Sequence, residues 1–316
     1  MSENNKNFIS VVVPLFEEEG NVVELHERIV RVLKKINVPS EIIFVDDCSA
    51  DKTFDLAKKL SPVVALQLRK NSGQSAALDA GIKKSKGNIV VALDGDLENH
   101  PEDIPLLLQK FEEGYDVVSG WRKERWEKQK LSRKLPSITA NYLISLVSRV
   151  RLHDHGCTLK IYRRNILDNL KLQGEKHRMI AAYASIMGAD IAEVPVKYSP
   201  RKFGKSKYGM MRIFKVLLDS FALMFFNKYS RRPMHFFGGL GFFSFLLGFI
   251  IFLVMIYLRF FVGISFIETP LPVLSALCLM VGFQFVLMGL LAEIIVNKDN
   301  SSNKDDFNIK DEVRNT

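Results

Sequence analysis

From residue 8 to residue 119 short apolar runs alternate with amphipathic stretches, the pattern of βαβ units built around a mostly parallel sheet. The apolar runs predict strands over 9–14, 41–46, 63–68, 89–94 and 116–119. The amphipathic stretches predict helices over 22–36, 52–60, 74–84 and 101–113. Ligands of an open α/β sheet sit beyond the carboxyl ends of its strands, and the segments PLFEE, DDCS and DGDLE all fall there. After Ser119 the rhythm breaks. A basic run, WRKERWEKQKLSRK, leads into LPSITANYLISLVSRVR, and a second, SPRKFGKSKYGMMR, precedes the apolar stretch 213–226. Both apolar segments are expected to lie in a membrane surface.

Two further runs, 236–258 and 271–296, are almost purely hydrophobic and carry no polar stripe. Each reaches the roughly 20 residues that a bilayer crossing needs. Buried core helices would show one polar face, and these do not. NKYSRRP precedes the first run, and Lys298 and Lys304 follow the second, so the positive-inside rule places both ends in the cytosol. Glu293, near the end of the second run, is expected to reach the interface and not to serve transport. The sequence therefore divides into a catalytic domain over 1–200, a basic juxtamembrane segment over 201–232, two membrane helices within 233–297 and a polar, disordered tail over 298–316.

The 316-residue length gives room for a sizeable core, and the three cysteines, Cys48, Cys157 and Cys278, lack paired spacing, which excludes a disulfide framework and fits a reducing compartment. No secretion signal is expected in MSENNKNF. The net charge of +9 fits phosphorylated small molecules and anionic lipid, because the cations gather in the two juxtamembrane runs. No nucleic-acid partner is expected. Glycine-rich faces such as Gly238, Gly239 and Gly241 offer a surface for a homo-oligomer.

The chemistry concentrates in IVVALDGDLE. Side chains alternate along a strand, so Asp94 and Asp96 point the same way, and Glu98 follows if the backbone stays extended. Converging carboxylates suit Mg²⁺ or Mn²⁺, which retain open positions for phosphate oxygens. The competing reading is a loop whose acids cap the helix after Pro101. Asp46 and Asp47 end the second strand at the same edge, as ribose or base acceptors or as an Asx turn. Neither G-x-G-x-x-G nor a Walker loop is present. His153, His155 and Cys157 alternate, but three ligands within five residues and no second cluster exclude a zinc site.

Five blocks, VVVPLFEEEGN, EIIFVDDCSADKT, GQSAALDAG, DGDLENHPEDIP and SGWRKE, resemble in order and spacing the inverting GT-A glycosyltransferases of family 2. DHGCTLKIYRR, PRKFGKSKYG and the terminal hairpin narrow the resemblance to polyprenyl-phosphate glycosyltransferases. Among them it is most similar to the branch that moves 4-deoxy-4-formamido-L-arabinose from UDP to undecaprenyl phosphate, with the dolichyl-phosphate mannose synthases also near. The resemblance implies that Pro14, Phe16, Glu18 and Asp46 line the nucleotide and that Asp94, Asp96 and Glu98 hold the metal. It places Arg122, Arg201 and Lys207 at the diphosphate, and Arg133 and Ser137 at the acceptor phosphate. Asp154 would orient the acceptor, act as a base or order a turn. Arg125, Lys128 and Lys130 are expected to attract anionic headgroups.

The expected activity is transfer of one sugar from a nucleotide diphosphate sugar, UDP-linked by preference, to a polyprenyl phosphate in the bacterial inner membrane, feeding lipid A or another surface glycan. Glucose, N-acetylgalactosamine, mannose and the amino-arabinose derivative stay open as sugars. Processive synthesis is excluded by the missing Gln before RW and by too few spans. A non-catalytic scaffold has no need of the full set of acids and cations, and a nucleotidyltransferase would carry a glycine-rich basic loop where PLFEEEGN stands.

Overall fold

The computed structural model describes residues 7–125, 145, 150, 152–168, 179–200, 225, 229 and 232–302. They belong to two compact units, one within Met1–Leu223 and one within Met224–Thr316.

The first unit contains β1 (Ile9–Leu15), α1 (Val22–Ile36), β2 (Ser40–Asp46), α2 (Thr53–Ala57), β3 (Val64–Gln67), α3 (Gln74–Lys84), β4 (Ile89–Ala92), α4 (Ile104–Glu112), β5 (Val117–Trp121), β6 (Lys160–Arg163), α5 (Arg164–Asp168), α6 (Ile180–Ile186) and β7 (Ile191–Pro195). One sheet of seven strands runs in the order β3-β2-β1-β4-β6-β5-β7. The pairs β1/β2, β1/β4, β2/β3 and β5/β7 are parallel. β6 lies antiparallel between β4 and β5. All five predicted strands and four predicted helices are present, and β6 and β7 add to them.

The central strands are apolar on both faces because both are covered. In β1, Val11, Val13 and Leu15 join the core that includes Leu25 and Ile29 of α1 and Leu107 of α4. Val12 belongs to the opposite core with Ala77 and Ile82 of α3. β1 is flanked by β2 on one side and β4 on the other, so strand order reverses there and leaves a crevice beyond their carboxyl ends. Three non-glycine residues at this edge, Glu17, Cys48 and Leu97, take left-handed φ values of 55°, 60° and 58°. Such conformations are uncommon outside glycine and gather where a fold serves a site.

The second unit contains α7 (Pro233–Tyr257), a π-helical turn (Leu258–Val262) and α8 (Leu271–Ser302). Spans of 30 and 26 residues, Pro233–Val262 and Leu271–Val296, are long and apolar enough to cross a bilayer. The first begins three residues before the expected start, and α8 continues to Ser302, past the position where the tail was expected to begin. The helices pack antiparallel: Ser244 Oγ donates to the Cys278 carbonyl at 2.7 Å and Ser275 Oγ to the Gly248 carbonyl at 2.9 Å. A Cβ at Gly241 would lie 2.9 Å from the Gly282 carbonyl oxygen. Small residues are what let apolar helices approach this closely. Gly241 is thus engaged within the hairpin and not free for a second copy, whereas a Cβ at Gly239 would meet nothing within 4 Å.

Glu293 has a structural task. Its carboxylate accepts a hydrogen bond from the Met234 backbone N–H at 3.3 Å, satisfying one of the open donors at the start of α7. Phe242, Phe243, Phe249, Leu291 and Ile295 face outward and exposed. An apolar surface of this size calls for a lipid surround.

Gly241→Leu is expected to cost about 1 to 3 kcal/mol through overpacking, read as a lower melting temperature in detergent. Gly239→Leu is expected to melt with the parent. Equal melting of all three proteins would show that the hairpin does not pack through Gly241.

Candidate active site at the carboxyl edge of the sheet

β1 delivers Pro14, Leu15 and Phe16 to the crevice, the next turn adds Glu18, and β4 runs out into Asp94, Gly95 and Asp96. Together with Asp47, Asn71, Gly73 and Gln74 they line an open cleft of about 270 Å³. The strand stops at Ala92, so the acids sit on a turn and not on an extended strand. The Asp96 carboxylate accepts the Glu98 backbone N–H at 3.0 Å, and Leu97 takes the left-handed conformation. Gly95 seats this turn against β1: a Cβ there would come within 2.7 Å of Leu15 Cδ2 and 3.3 Å of Glu18 Cγ.

Negative charge is crowded at this edge. Burial, and then the charge of Asp96, push the Asp94 carboxyl up to about 7, against a hydrogen bond from Thr158 and the charge of Arg122. Gln74 Nε2 donates to Asp94 Oδ1 at 2.5 Å. Two neighbouring carboxylates, with oxygen donors only, fit a hard divalent cation such as Mg²⁺ or Mn²⁺. Glu98, expected as a third ligand, directs Oε2 toward Arg122 Nη1 at 3.5 Å. Among the described residues no three Asp, Glu, His or Cys side chains gather as a complete metal site. Asp94 and Asp96 would therefore hold the ion with help from substrate oxygens, the usual arrangement for Mg²⁺ beside phosphates.

Asp46, expected at the nucleotide, does not line the cleft. It is 1% exposed, accepts Ser49 N–H at 3.1 Å and Gln67 Nε2 at 3.0 Å, and is bound closely by the Ser49 hydroxyl. Its neighbour Asp47 lines the cleft instead. It also accepts the backbone N–H groups of Ser72 and Gly73 at 2.7 and 2.8 Å, fixing the loop that begins α3. Pro14, Phe16 and Glu18, also expected at the nucleotide, do line the cleft. Gln74 and Thr158 had no assigned role. Their signal was weak: Gln74 lies in the quoted GQSAALDAG block, and Thr158 in DHGCTLKIYRR.

Beside the acids, Arg122 and Asp154 form a buried ion pair, with side chains 4% and 2% exposed. Arg122 Nε donates to Asp154 Oδ2 at 2.8 Å and Nη2 to Oδ1 at 3.2 Å. Burial alone would raise the Asp154 carboxyl, but the charge and hydrogen bonds of Arg122 outweigh it and hold it below the ordinary carboxylate value. Asp154 Oδ1 also accepts the Gly156 N–H at 3.1 Å. These contacts make Asp154 an anchor for Arg122 and for its own turn; an acid this firmly ionised is a weak proton acceptor.

The turn is pinned from outside by Glu193 of β7, which accepts His153 N–H at 3.0 Å, Asp154 N–H at 2.9 Å and His153 Nδ1 at 2.8 Å. His153 stacks on Trp121 with centroids 4.3 Å apart. Lys160 Nζ donates to the His155 carbonyl at 3.0 Å from inside the core. His155 Nε2 lies 2.9 Å from Ser145 Oγ, and burial followed by the Lys160 charge brings its pKa down to about 3. Cys157 donates to Asn99 Oδ1 at 3.3 Å, and burial raises it to about 12. The two histidines and the cysteine serve separate contacts. Arg133 and Ser137, with Arg201 and Lys207, lie outside the described residues.

Asp154→Leu is expected to destabilise the protein by about 3 to 5 kcal/mol, because it strands a buried guanidinium. Arg122→Leu should cost a similar amount, and the double variant should recover much of either loss. Additive losses in denaturant melts would contradict the pairing. A cation must displace the Asp94 proton, so Mn²⁺ affinity, read from the free-ion EPR signal, is expected to rise between about pH 6 and pH 8 and then level off. A flat profile, or one unchanged in Asp94→Asn, would contradict this assignment.

Comparison with known proteins agrees with this geometry. The Glycosyl transferase family 2 description matches residues 10–171. Dodecaprenyl-phosphate galacturonate synthase of Rhizobium johnstonii is 40% identical over 298 residues, 91% of this chain and 87% of that protein. Undecaprenyl-phosphate 4-deoxy-4-formamido-L-arabinose transferase of Pectobacterium carotovorum subsp. carotovorum is 34% identical over 301 residues, covering 93% and 90%. Among solved structures, glucosyl-3-phosphoglycerate synthase from Mycobacterium tuberculosis, in complex with Mn²⁺, UDP and phosphoglyceric acid, aligns with a TM-score of 0.55 at 19% identity, covering 70% of this chain and 78% of that one. Mannosyl-3-phosphoglycerate synthase from Rubrobacter xylanophilus gives 0.56 at 15% identity, covering 69% and 74%. The structural likeness shows the GT-A fold, and by family match and by near full-length relatives this chain belongs to glycosyl transferase family 2.

Proposed function

We propose that this protein moves one sugar from a nucleotide diphosphate sugar to a polyprenyl phosphate at the cytosolic face of the bacterial inner membrane, with inversion at the anomeric carbon. The observation that carries the reading is the cleft at the β1/β4 switch point, lined by Phe16, Glu18, Asp94 and Asp96. Relatives similar across both units carry names that specify a polyprenyl phosphate acceptor. Two apolar helices would tether the enzyme to the bilayer that its acceptor cannot leave.

The acceptor needs little activation. A phosphate monoester has a second pKa of about 6, so its attacking oxygen is largely deprotonated at neutral pH. This agrees with an Asp154 held ionised by Arg122, as the site requires no strong protein base. The chemical difficulty is the meeting of two anions, one a diphosphate and the other a monophosphate. A bound Mg²⁺ or Mn²⁺ held by Asp94 and Asp96 would neutralise the departing diphosphate. The chain's own part is to orient the donor across the cleft and supply positive charge. That role extends to Arg201 and Lys207 at the diphosphate and to Arg133 and Ser137 at the acceptor phosphate.

UDP is the favoured nucleotide. The product would serve lipid A or another surface glycan. The 40% relative named for galacturonate adds a uronic acid to the sugars considered from the sequence, beside the formamido-arabinose derivative. Both ends of the hairpin face the cytosol, since Arg231, Arg232 and Lys298 flank it and Arg259, near the far end of the first span, is the one Lys or Arg from Pro233 to Val296.

The test incubates the full-length protein in nanodiscs with undecaprenyl phosphate and, in turn, UDP-galacturonate, UDP-formamido-arabinose, UDP-glucose, UDP-N-acetylgalactosamine and GDP-mannose, with Mn²⁺ or EDTA. One glycolipid of defined mass, formed only with the divalent ion, is expected. UDP binding without a glycolipid from any donor would overturn the reading in favour of a non-catalytic scaffold.

A further inference from the structure

Arg125 was expected to reach outward for headgroups. In the structure it is half-buried, and its backbone N–H bonds the Arg122 carbonyl at 3.1 Å, closing a tight turn after β5. Its Nε is buried and has no hydrogen-bond partner. Exposed arginines on a lipid-facing patch keep that nitrogen wet. Two penalties therefore fall on one side chain, an orphan buried donor and the like charge of Arg122 nearby. Burial first, and then the Arg122 charge, draw the guanidinium below its ordinary pKa, against the charges of Asp154 and Glu98.

Arg122 cannot take up a phosphate easily in this arrangement. Its side-on edge is filled by Asp154 at 2.8 and 3.2 Å, and Nη1 faces Glu98 at 3.5 Å. Bidentate capture of a phosphate by either edge would displace a carboxylate. Arg125 is the neighbouring cation whose Nε has no such commitment, and it is close enough to Arg122, Asp154 and Glu98 to feel their charges.

We propose that Arg125 is a further substrate-binding residue of this site, its guanidinium kept for a phosphate group of the substrates while Arg122 is anchored by Asp154 and Glu98. An anion there gives the orphan donor an acceptor and offsets the repulsion between the two guanidinium groups. The free protein thus holds Arg125 in a costly state that ligand relieves. This assignment rests on the proposed function, since the phosphate is that of the nucleotide sugar or of the lipid acceptor.

The consequence separates this role from a structural one. Removing a structural arginine lowers stability; removing this one should leave the melting temperature of the ligand-free protein unchanged or raised, while phosphate binding falls. Full-length Arg125→Gln in detergent is compared with the parent in three arms: UDP binding with Mn²⁺, inorganic pyrophosphate binding, and the KM for undecaprenyl phosphate. A loss on the order of 10- to 100-fold is expected in at least one arm, with Arg125→Lys intermediate. Weaker UDP and pyrophosphate binding assigns Arg125 to the donor; a raised KM alone assigns it to the acceptor. Unchanged values in every arm overturn the proposal, and so does a variant that melts clearly below the parent. If the parent makes no glycolipid from any donor, the proposed function fails on its own, and Arg125 is judged by UDP and pyrophosphate alone.

Discussion

The site depends on the crowding of two carboxylates at the end of β4. Asp94 and Asp96 lie on a turn pressed against β1, where burial and then the charge of Asp96 make ionisation of Asp94 unfavourable. A fold tolerates such a feature when something positive visits it. The parallel β1/β4 pair sets its place, because Val12 opposite Ala92 brings both strands to a common edge. Glycine at 95 lets the turn approach that edge, and Gln74 and Thr158 steady Asp94 from the sides.

Around this acid centre the cations are divided by task. Arg122 is buried and committed to Asp154, a pair whose merit is fixed geometry more than net stability. Glu193 and Lys160 hold the Asp154 turn from opposite sides, so the guanidinium is fixed by groups on β6 and β7. An ionised, anchored Asp154 agrees with chemistry in which the acceptor arrives already deprotonated. The hairpin, treated by itself, solves a separate problem: close contact at Gly241 and Gly282, with Glu293 closing the start of its first helix.

Much of this was legible in the sequence because the signals are local. Two-residue and 3.6-residue periodicities marked the first five strands and four helices, and PLFEE, DDCS and DGDLE pointed to the right edge. What stayed hidden was decided by pairing and by side-chain direction. KIYR gives too short a pattern to announce a strand inserted antiparallel between β4 and β5. A DD pair cannot say which aspartate meets the cleft, and here Asp47 does while Asp46 braces Ser49 and Gln67. Extended backbone through Glu98 was a reasonable reading of D-x-D-x-E, but left-handed Leu97 breaks it and sends Glu98 toward Arg122. Arg125 looked like one of many surface cations, since charge runs do not reveal which member folds inward.

If two aspartates alone hold the divalent ion, the protein supplies an incomplete site, and donor phosphate oxygens must finish it. Ion and nucleotide should then tighten each other by the same factor, as linkage requires. The decisive measurement is Mn²⁺ affinity by calorimetry with and without saturating UDP, paired with UDP affinity with and without Mn²⁺. Weak binding of either alone and a reciprocal gain on the order of tenfold or more are expected. Equal Mn²⁺ affinity in the presence and absence of UDP would contradict it.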